Sequence, residues 1–248
     1  MFYRPLMSFG LGLLGLLAVS QAAASISLSS TRLIFDGKYK EASITVRNSG
    51  NDVLIQSWVD NDNEAAAVPF AVTPPLARIS GQEQQLLRII YEGAGMPADR
   101  ESVLWLNVQE IPQASQIKNT LQLAVRQRIK LFFRPAGLRG HAYMAPTELL
   151  WQLQSRSDHT VLTVKNPGAY HVSMSDITLR SGTATELAAD SIMIAPGQQK
   201  DFPLKQFSSS SSAKLTFASI NDFGAQDAYT AQLVSTDTTK AQLNKESP

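Results

Sequence analysis

The chain contains no cysteine, which excludes a disulfide framework, a thiolate–zinc site and a cysteine nucleophile. Net charge is almost absent too, with 22 basic and 21 acidic residues giving +1 overall. Binding to nucleic acid or to an anionic membrane surface needs a concentrated basic excess, so any functional charge must act locally. Histidine is scarce: His141, His159 and His171 stand outside any metal-ligand spacing. After the N-terminus there is no long apolar run and little helical periodicity.

The one apolar run lies at the start. Arg4 gives a positive beginning, residues 6–19 are interrupted only by Ser8 and small glycines, and Gln21-Ala22-Ala23-Ala24 supplies the small residues that a signal peptidase reads. About 14 apolar residues fall short of the roughly 20 that span a bilayer. The pattern predicts a cleaved leader over residues 1–24, with Ser25 as the first mature residue, and an exported chain without stable membrane insertion. Gly10-Leu11-Gly12-Leu13-Leu14-Gly15 imitates a dinucleotide fingerprint, but no strand precedes it and no βαβ unit follows. Removing 24 of the 248 residues leaves 224, enough for two small domains. It also leaves 21 basic against 21 acidic residues, because Arg4 is the leader's only charge.

Short alternating segments then recur between Gly, Pro, Asn and Asp clusters, as in β-sandwiches. Residues 26–28, 42–46, 54–59, 85–91, 102–110 and 120–133 read as strands, with Trp58 expected in a core. Thr73-Pro74-Pro75 reads as an edge or a crossover, since proline has no N–H for a central ladder. Residues 134–140 break the pattern and mark a boundary between domains at 25–135 and 136–248. Seven further strands follow, at 149–153, 159–165, 170–179, 191–195, 200–204, 214–220 and 229–234. The serines at 208–212 read as a loop and the polar tail from Thr236 as frayed. The predicted fold class is all-β, two immunoglobulin-like sandwiches joined at an angle.

Nothing points to catalysis or to a cofactor. Asp158-His159 lacks a serine in a strained Gly-x-Ser-x-Gly elbow. The carboxylate pairs Glu186/Asp190 and Asp60/Asp62 are of the kind that loops supply freely.

The stretch Met96-Pro97-Ala98-Asp99-Arg100-Glu101-Ser102-Val103-Leu104-Trp105-Leu106-Asn107-Val108-Gln109-Glu110-Ile111-Pro112 closely resembles the signature of the PapD-like periplasmic pilus chaperones. Ser29-Ser30-Thr31-Arg32-Leu33-Ile34-Phe35-Asp36 resembles that family's first strand. Arg128-Ile129-Lys130-Leu131-Phe132-Phe133-Arg134-Pro135 resembles the end of its seventh strand and the interdomain joint. Ser219-Ile220-Asn221-Asp222-Phe223-Gly224 resembles a late element of its second domain.

The resemblance implies a chaperone that lends a strand to an incomplete subunit, a mode of β-augmentation. Arg32 and Lys130 would line the cleft and hold the subunit's C-terminal carboxylate through charge-assisted hydrogen bonds. Glu101, Arg134 and Asp222 would form an interdomain charge network. Leu121, Leu123 and Val125 alternate on one face of the seventh strand, and by family analogy they enter the subunit's groove. Periodicity alone also allows these three to face their own core, and each cation to pair with an internal acid. The short connection at 112–119 resembles the class that serves rod-like pili. The implied partners are pilus subunits and an outer-membrane usher; self-association of the free protein through its edge is left open by the sequence. The competing reading is an exported pilus subunit or adhesin.

Overall fold

The computed structural model describes residues 25–61, 67–111, 123–156, 159–207, 212–234 and 237–244. The expected leader at 1–24, the connection at 112–119, Leu121, Asp62, Asp158, Thr236 and the serines at 208–211 lie outside the described residues.

The first sandwich is built from β1 (Ile26–Leu28), β2 (Arg32–Asp36), β3 (Glu41–Asn48), β4 (Val53–Asp60), β5 (Phe70–Thr73), β6 (Leu76–Ile79), β7 (Gln84–Tyr91), β8 (Ser102–Ile111) and β9 (Arg126–Arg134). One sheet runs β1-β3-β7-β5 and the other β2-β9-β8-β4-β6. Two excursions tie the sheets together. β1 pairs with β3 in the first sheet, and the chain then crosses at Ser29-Ser30-Thr31 so that β2 lies parallel to β9 in the second. Between β5 and β6 the crossing falls at Pro74-Pro75, as proline's missing N–H led us to expect.

The second sandwich contains one short helix, α1 (Ala145–Glu148), then β10 (Leu150–Arg156), β11 (His159–Lys165), β12 (Val172–Ser181), β13 (Ala184–Ile194), β14 (Gln199–Leu204), β15 (Ser212–Ile220), β16 (Gln226–Val234), β17 (Thr239–Lys240) and β18 (Gln242–Leu243). Its sheets run β14-β11-β10-β17 and β13-β12-β15-β16-β18. Two separate cores follow, one around Phe35, Leu87 and Leu131, the other around Trp151, Leu162 and Met174. The all-β, two-sandwich architecture is the one the alternation predicts. Among the described residues no helix is long and apolar enough to cross a membrane.

Several local expectations differ from the structure. The strand expected over residues 120–133 begins, among the described residues, only at Arg126. Among its described residues the tail is paired: β17 joins β10, β18 joins β16, and the Ala241 methyl between them is buried. Glu186 lies within β13 and accepts the Lys205 and Gln206 backbone N–H groups, so it closes a turn. Trp58 is not in the core. In β4 the buried positions are Val53, Ile55, Ser57 and Val59, which puts Trp58 on the outer face.

Phe35 carries the packing beneath the elbow. It is fully buried and meets Phe70, Tyr91 and Phe133 at ring-centroid distances of 5.5, 6.2 and 5.7 Å. Truncating such a ring removes its transfer energy and leaves a cavity. Phe35→Ala is expected to lower folding stability by about 3–5 kcal/mol in urea melts. An effect below about 1 kcal/mol would show that the cluster is not a structural centre.

Candidate functional site

β2 and β9 run parallel with Arg32 opposite Lys130, Leu33 opposite Leu131 and Phe35 opposite Phe133. Alternation sends the two apolar pairs, Leu33 with Leu131 and Phe35 with Phe133, into the core. Arg32 and Lys130 are therefore left side by side on the other face, half-buried. Arg32 reaches the second domain, donating from Nη1 to the Ile220 carbonyl at 3.0 Å, and lies over the Phe132 ring. Its Nε is buried without a hydrogen-bond partner. Lys130 lies near the Trp105 ring, its Nζ 6.0 Å from the centroid.

Burial pushes the Lys130 ammonium below its ordinary range, and the neighbouring Arg32 cation adds to the effect. Burial also lowers Arg32, opposed by the more distant Asp222 and Glu101 carboxylates. Among the described residues neither cation has a carboxylate within ion-pair distance. Two like charges, partly desolvated and without a counter-ion, form a place where an anion is stabilised from both sides. Arg32, Phe132, Ile220, Phe223 and Tyr229 help line an interdomain cleft of about 430 Å³; Lys130 adjoins Arg32 but is not part of that lining.

Arg134, at the end of β9, closes the cleft from behind. Its Nε donates to Glu101 Oε2 at 2.7 Å, and its two Nη atoms donate to the two Asp222 oxygens, each at 2.7 Å. Glu101 is 2% exposed, and its other oxygen accepts the His171 backbone N–H at 2.8 Å and faces His171 Nδ1 at 3.0 Å. Burial acts to lower the Arg134 guanidinium, but Asp222 and Glu101 outweigh it and hold the group above its ordinary value. Glu101, Arg134 and Asp222 are thus brought together, and His171 is a fourth member that sequence reading missed. Gly224 lets the Asp222 turn approach the first domain. Its φ is +85°, and a Cβ there would lie 2.5 Å from Thr31 Oγ1.

Only residues 130–134 of β9 are flanked by β2. Residues 126–129 pair with β8 on one side, and among the described residues no strand lies on the other. Just before β9, Leu123 is 71% exposed and Val125 half-buried, although both share the odd-numbered face with Leu131 and Phe133. Both precede the strand proper, while the Glu110 N–H to Val125 carbonyl bond at 2.9 Å carries the pairing past its start.

The outer face of this edge holds a cluster that sequence reading missed. Asp60 accepts from Trp58 Nε1, Asn107 Nδ2, Arg126 and Arg128. Arg126 lies over Trp58 and Arg128 over Trp105, 4.9 and 4.3 Å from the ring centroids. The signal was period two: cations at 126, 128 and 130 facing Trp58-Val59-Asp60 and Trp105-Leu106-Asn107.

Fold and site together define a class: a two-domain immunoglobulin-like β-sandwich protein with a cationic notch at its elbow and, among the described residues, a half-open strand edge beside it. Residues 25–139 match the pili and flagellar-assembly chaperone PapD N-terminal domain, and residues 144–231 match the pili assembly chaperone PapD C-terminal domain. The chain is 39% identical over 214 residues to the probable fimbrial chaperone LpfB of Escherichia coli O157:H7, covering 84% of this chain and 88% of that one. It resembles the crystal structure of the YadV chaperone with a TM-score of 0.72 at 36% identity, covering 85% of this chain and all of that one. It also resembles, with a TM-score of 0.69 at 25% identity and coverage of 85% and 97%, a Salmonella enterica structure of the SafA pilin in complex with the SafB chaperone. This chain belongs to the PapD family of pilus-assembly chaperones.

Removing one partner from a buried ion pair leaves an uncompensated charge. Arg134→Ala is expected to cost roughly 3–5 kcal/mol in urea melts, because Glu101 is left buried. Asp222→Ala removes a partner whose side chain is 40% exposed, and about 1 kcal/mol or less is expected. Equal losses in the two variants would contradict this ranking.

Proposed function

We propose that the chain is a periplasmic chaperone for pilus subunits, exported by a leader at 1–24 and folded as domains at 25–135 and 136–248. Arg32 and Lys130 take the subunit's C-terminal carboxylate. Leu121, Leu123 and Val125 enter the groove left by the strand the subunit lacks, and the free backbone edge of β9 holds the inserted segment in register. The bound subunit then passes to an outer-membrane usher, which builds the fibre. Glu101, Arg134 and Asp222 keep the elbow angle and do not touch the subunit.

The observation that carries this reading is the pair of half-desolvated cations, without an ion-pair partner among the described residues, at the end of the open half of β9. A terminal carboxylate is the anion that every subunit possesses. Each charge-assisted hydrogen bond contributes roughly 1.5–3 kcal/mol once shielded from water. Each apolar side chain that enters the groove adds about 1.5–3 kcal/mol before association costs. Exposure of Leu123 supports the donor reading over the core reading, because a long apolar side chain beside an open edge is otherwise an aggregation hazard. The relation to a chaperone solved with a pilin supports subunits as partners.

Arg32→Ala and Lys130→Ala are expected to keep the far-ultraviolet circular dichroism of the wild type. Both should abolish recovery of a co-expressed subunit from the periplasm, while Leu123→Asp should reduce it at least tenfold. Unchanged subunit levels in both cation variants would overturn the proposal. Appearance of the chain itself within surface fibres would favour the subunit reading.

A further inference from the structure

Glu110 is the last core-facing residue of β8, following Leu104, Leu106 and Val108 at every second position. It is only 7% exposed. Its Oε1 accepts one hydrogen bond, from the Ile26 backbone N–H at 3.1 Å. Among the described residues no cation lies within ion-pair distance of it. Glu101, the other buried carboxylate of this strand region, is met by both Arg134 and His171. A buried carboxylate with a single neutral donor is a charge that lacks its partner.

The missing cation has an evident source. Ile26 follows Ser25, the residue expected to become the N-terminus when residues 1–24 are removed, and the PapD N-terminal domain match also begins at 25. Successive backbone nitrogens are about 3–4 Å apart, so the Ser25 nitrogen lies within about 7 Å of the Glu110 oxygen. Ser25 is held firmly. Its carbonyl accepts the Ser49 N–H at 2.8 Å, and a Cβ on Gly50 would come 2.9 Å from its own Cβ. The next residue is clamped as well, since Gln127 Nε2 donates to the Ile26 carbonyl at 2.7 Å. Ser25 and Glu110 line one surface cavity together with Asp52 and Arg78.

We propose that cleavage before Ser25 creates an α-ammonium group that pairs with Glu110, so that removal of the leader completes the end of the first sandwich. This rests on the export reading above. In the precursor the same nitrogen is an uncharged amide. After cleavage it carries three donors and a positive charge, and it turns freely enough to aim one donor at the carboxylate. The other charges facing the cavity, Arg78 and Asp52, are already paired at 2.6 Å, and Asp52 also accepts the Gly81 N–H. They leave Glu110 as the net attraction. An amine that gains such a partner titrates above the roughly 7.7–8.0 of a free α-amino group. Its contribution to stability is therefore complete below about pH 7.7 and is lost as pH rises through the folded-state value.

The test begins with intact-mass analysis of the exported protein, which is expected to start at Ser25. Urea melts at about pH 6 and about pH 10 then compare the protein starting at Ser25 with one that keeps a single alanine ahead of it, each with Glu110 and with Glu110→Gln. At the lower pH the extra alanine is expected to reduce the folding constant about tenfold, the equivalent of one unit of pKa displacement. Glu110→Gln should remove the difference, and the higher pH should shrink it. Should Glu110→Gln fail to fold, acylation of the α-amine near pH 7 provides a second measurement, expected to be several-fold slower at Ser25 than at the added alanine. A mature terminus other than Ser25 overturns both this inference and the leader reading. A Ser25 terminus with equal stabilities, or equal acylation rates, overturns this inference alone, because subunit recovery is measured independently.

Discussion

One guanidinium joins the two domains beside the candidate site. Arg134 leaves the end of β9 and is gripped by Glu101 from its own domain and by both oxygens of Asp222 from the other. A bidentate arginine–carboxylate pair fixes direction as well as distance. Burial of Glu101 makes the arrangement strict, because a charge there cannot fall back on water. The same carboxylate takes the His171 N–H, so three segments meet at one residue. Beside it Arg32 reaches the Ile220 carbonyl, and Arg32 and Arg134 line the same interdomain cleft.

The open edge is a consequence of strand length. The N-terminal segment serves two sheets in turn, first as β1 and then as β2, and the five residues of β2 cover only the last part of β9. The earlier part keeps a row of backbone groups without a strand neighbour among the described residues. Such an edge invites pairing. Here it is bordered by arginines stacked on tryptophans and tied to Asp60, which hold the outer face stiff and charged. Charged side chains along an exposed edge are one way in which β-proteins keep it from aggregating.

Much of the architecture was legible because strand alternation is a local property. β3 alternates apolar and polar residues from Ala42 to Arg47, burial alternates along β4 and β7, and the proline pair marked an edge or a crossover. The errors have physical causes. Trp58 looked like a core anchor because a large aromatic usually is one, but the odd positions of β4 had already claimed the inner face. The paired tail was invisible because two-residue strands carry no period, and only Ala241, a small residue, is buried between them. Glu186 resembled a loop carboxylate because its role, receiving two backbone N–H groups from a turn nineteen and twenty residues away, leaves no local trace.

From the order of its residues alone, the chain determined its class: no cysteine chemistry, two runs of alternating segments, and the motif that carries the family resemblance. Those are properties of neighbours in sequence. Tertiary structure alone decided that Arg32 stands beside Lys130 without a carboxylate within ion-pair distance among the described residues, that His171 joins Glu101, and that Glu110 is buried next to Ser25. Each of these contacts joins residues 70 to 98 positions apart, and strand register, which no short window of sequence encodes, brings them together.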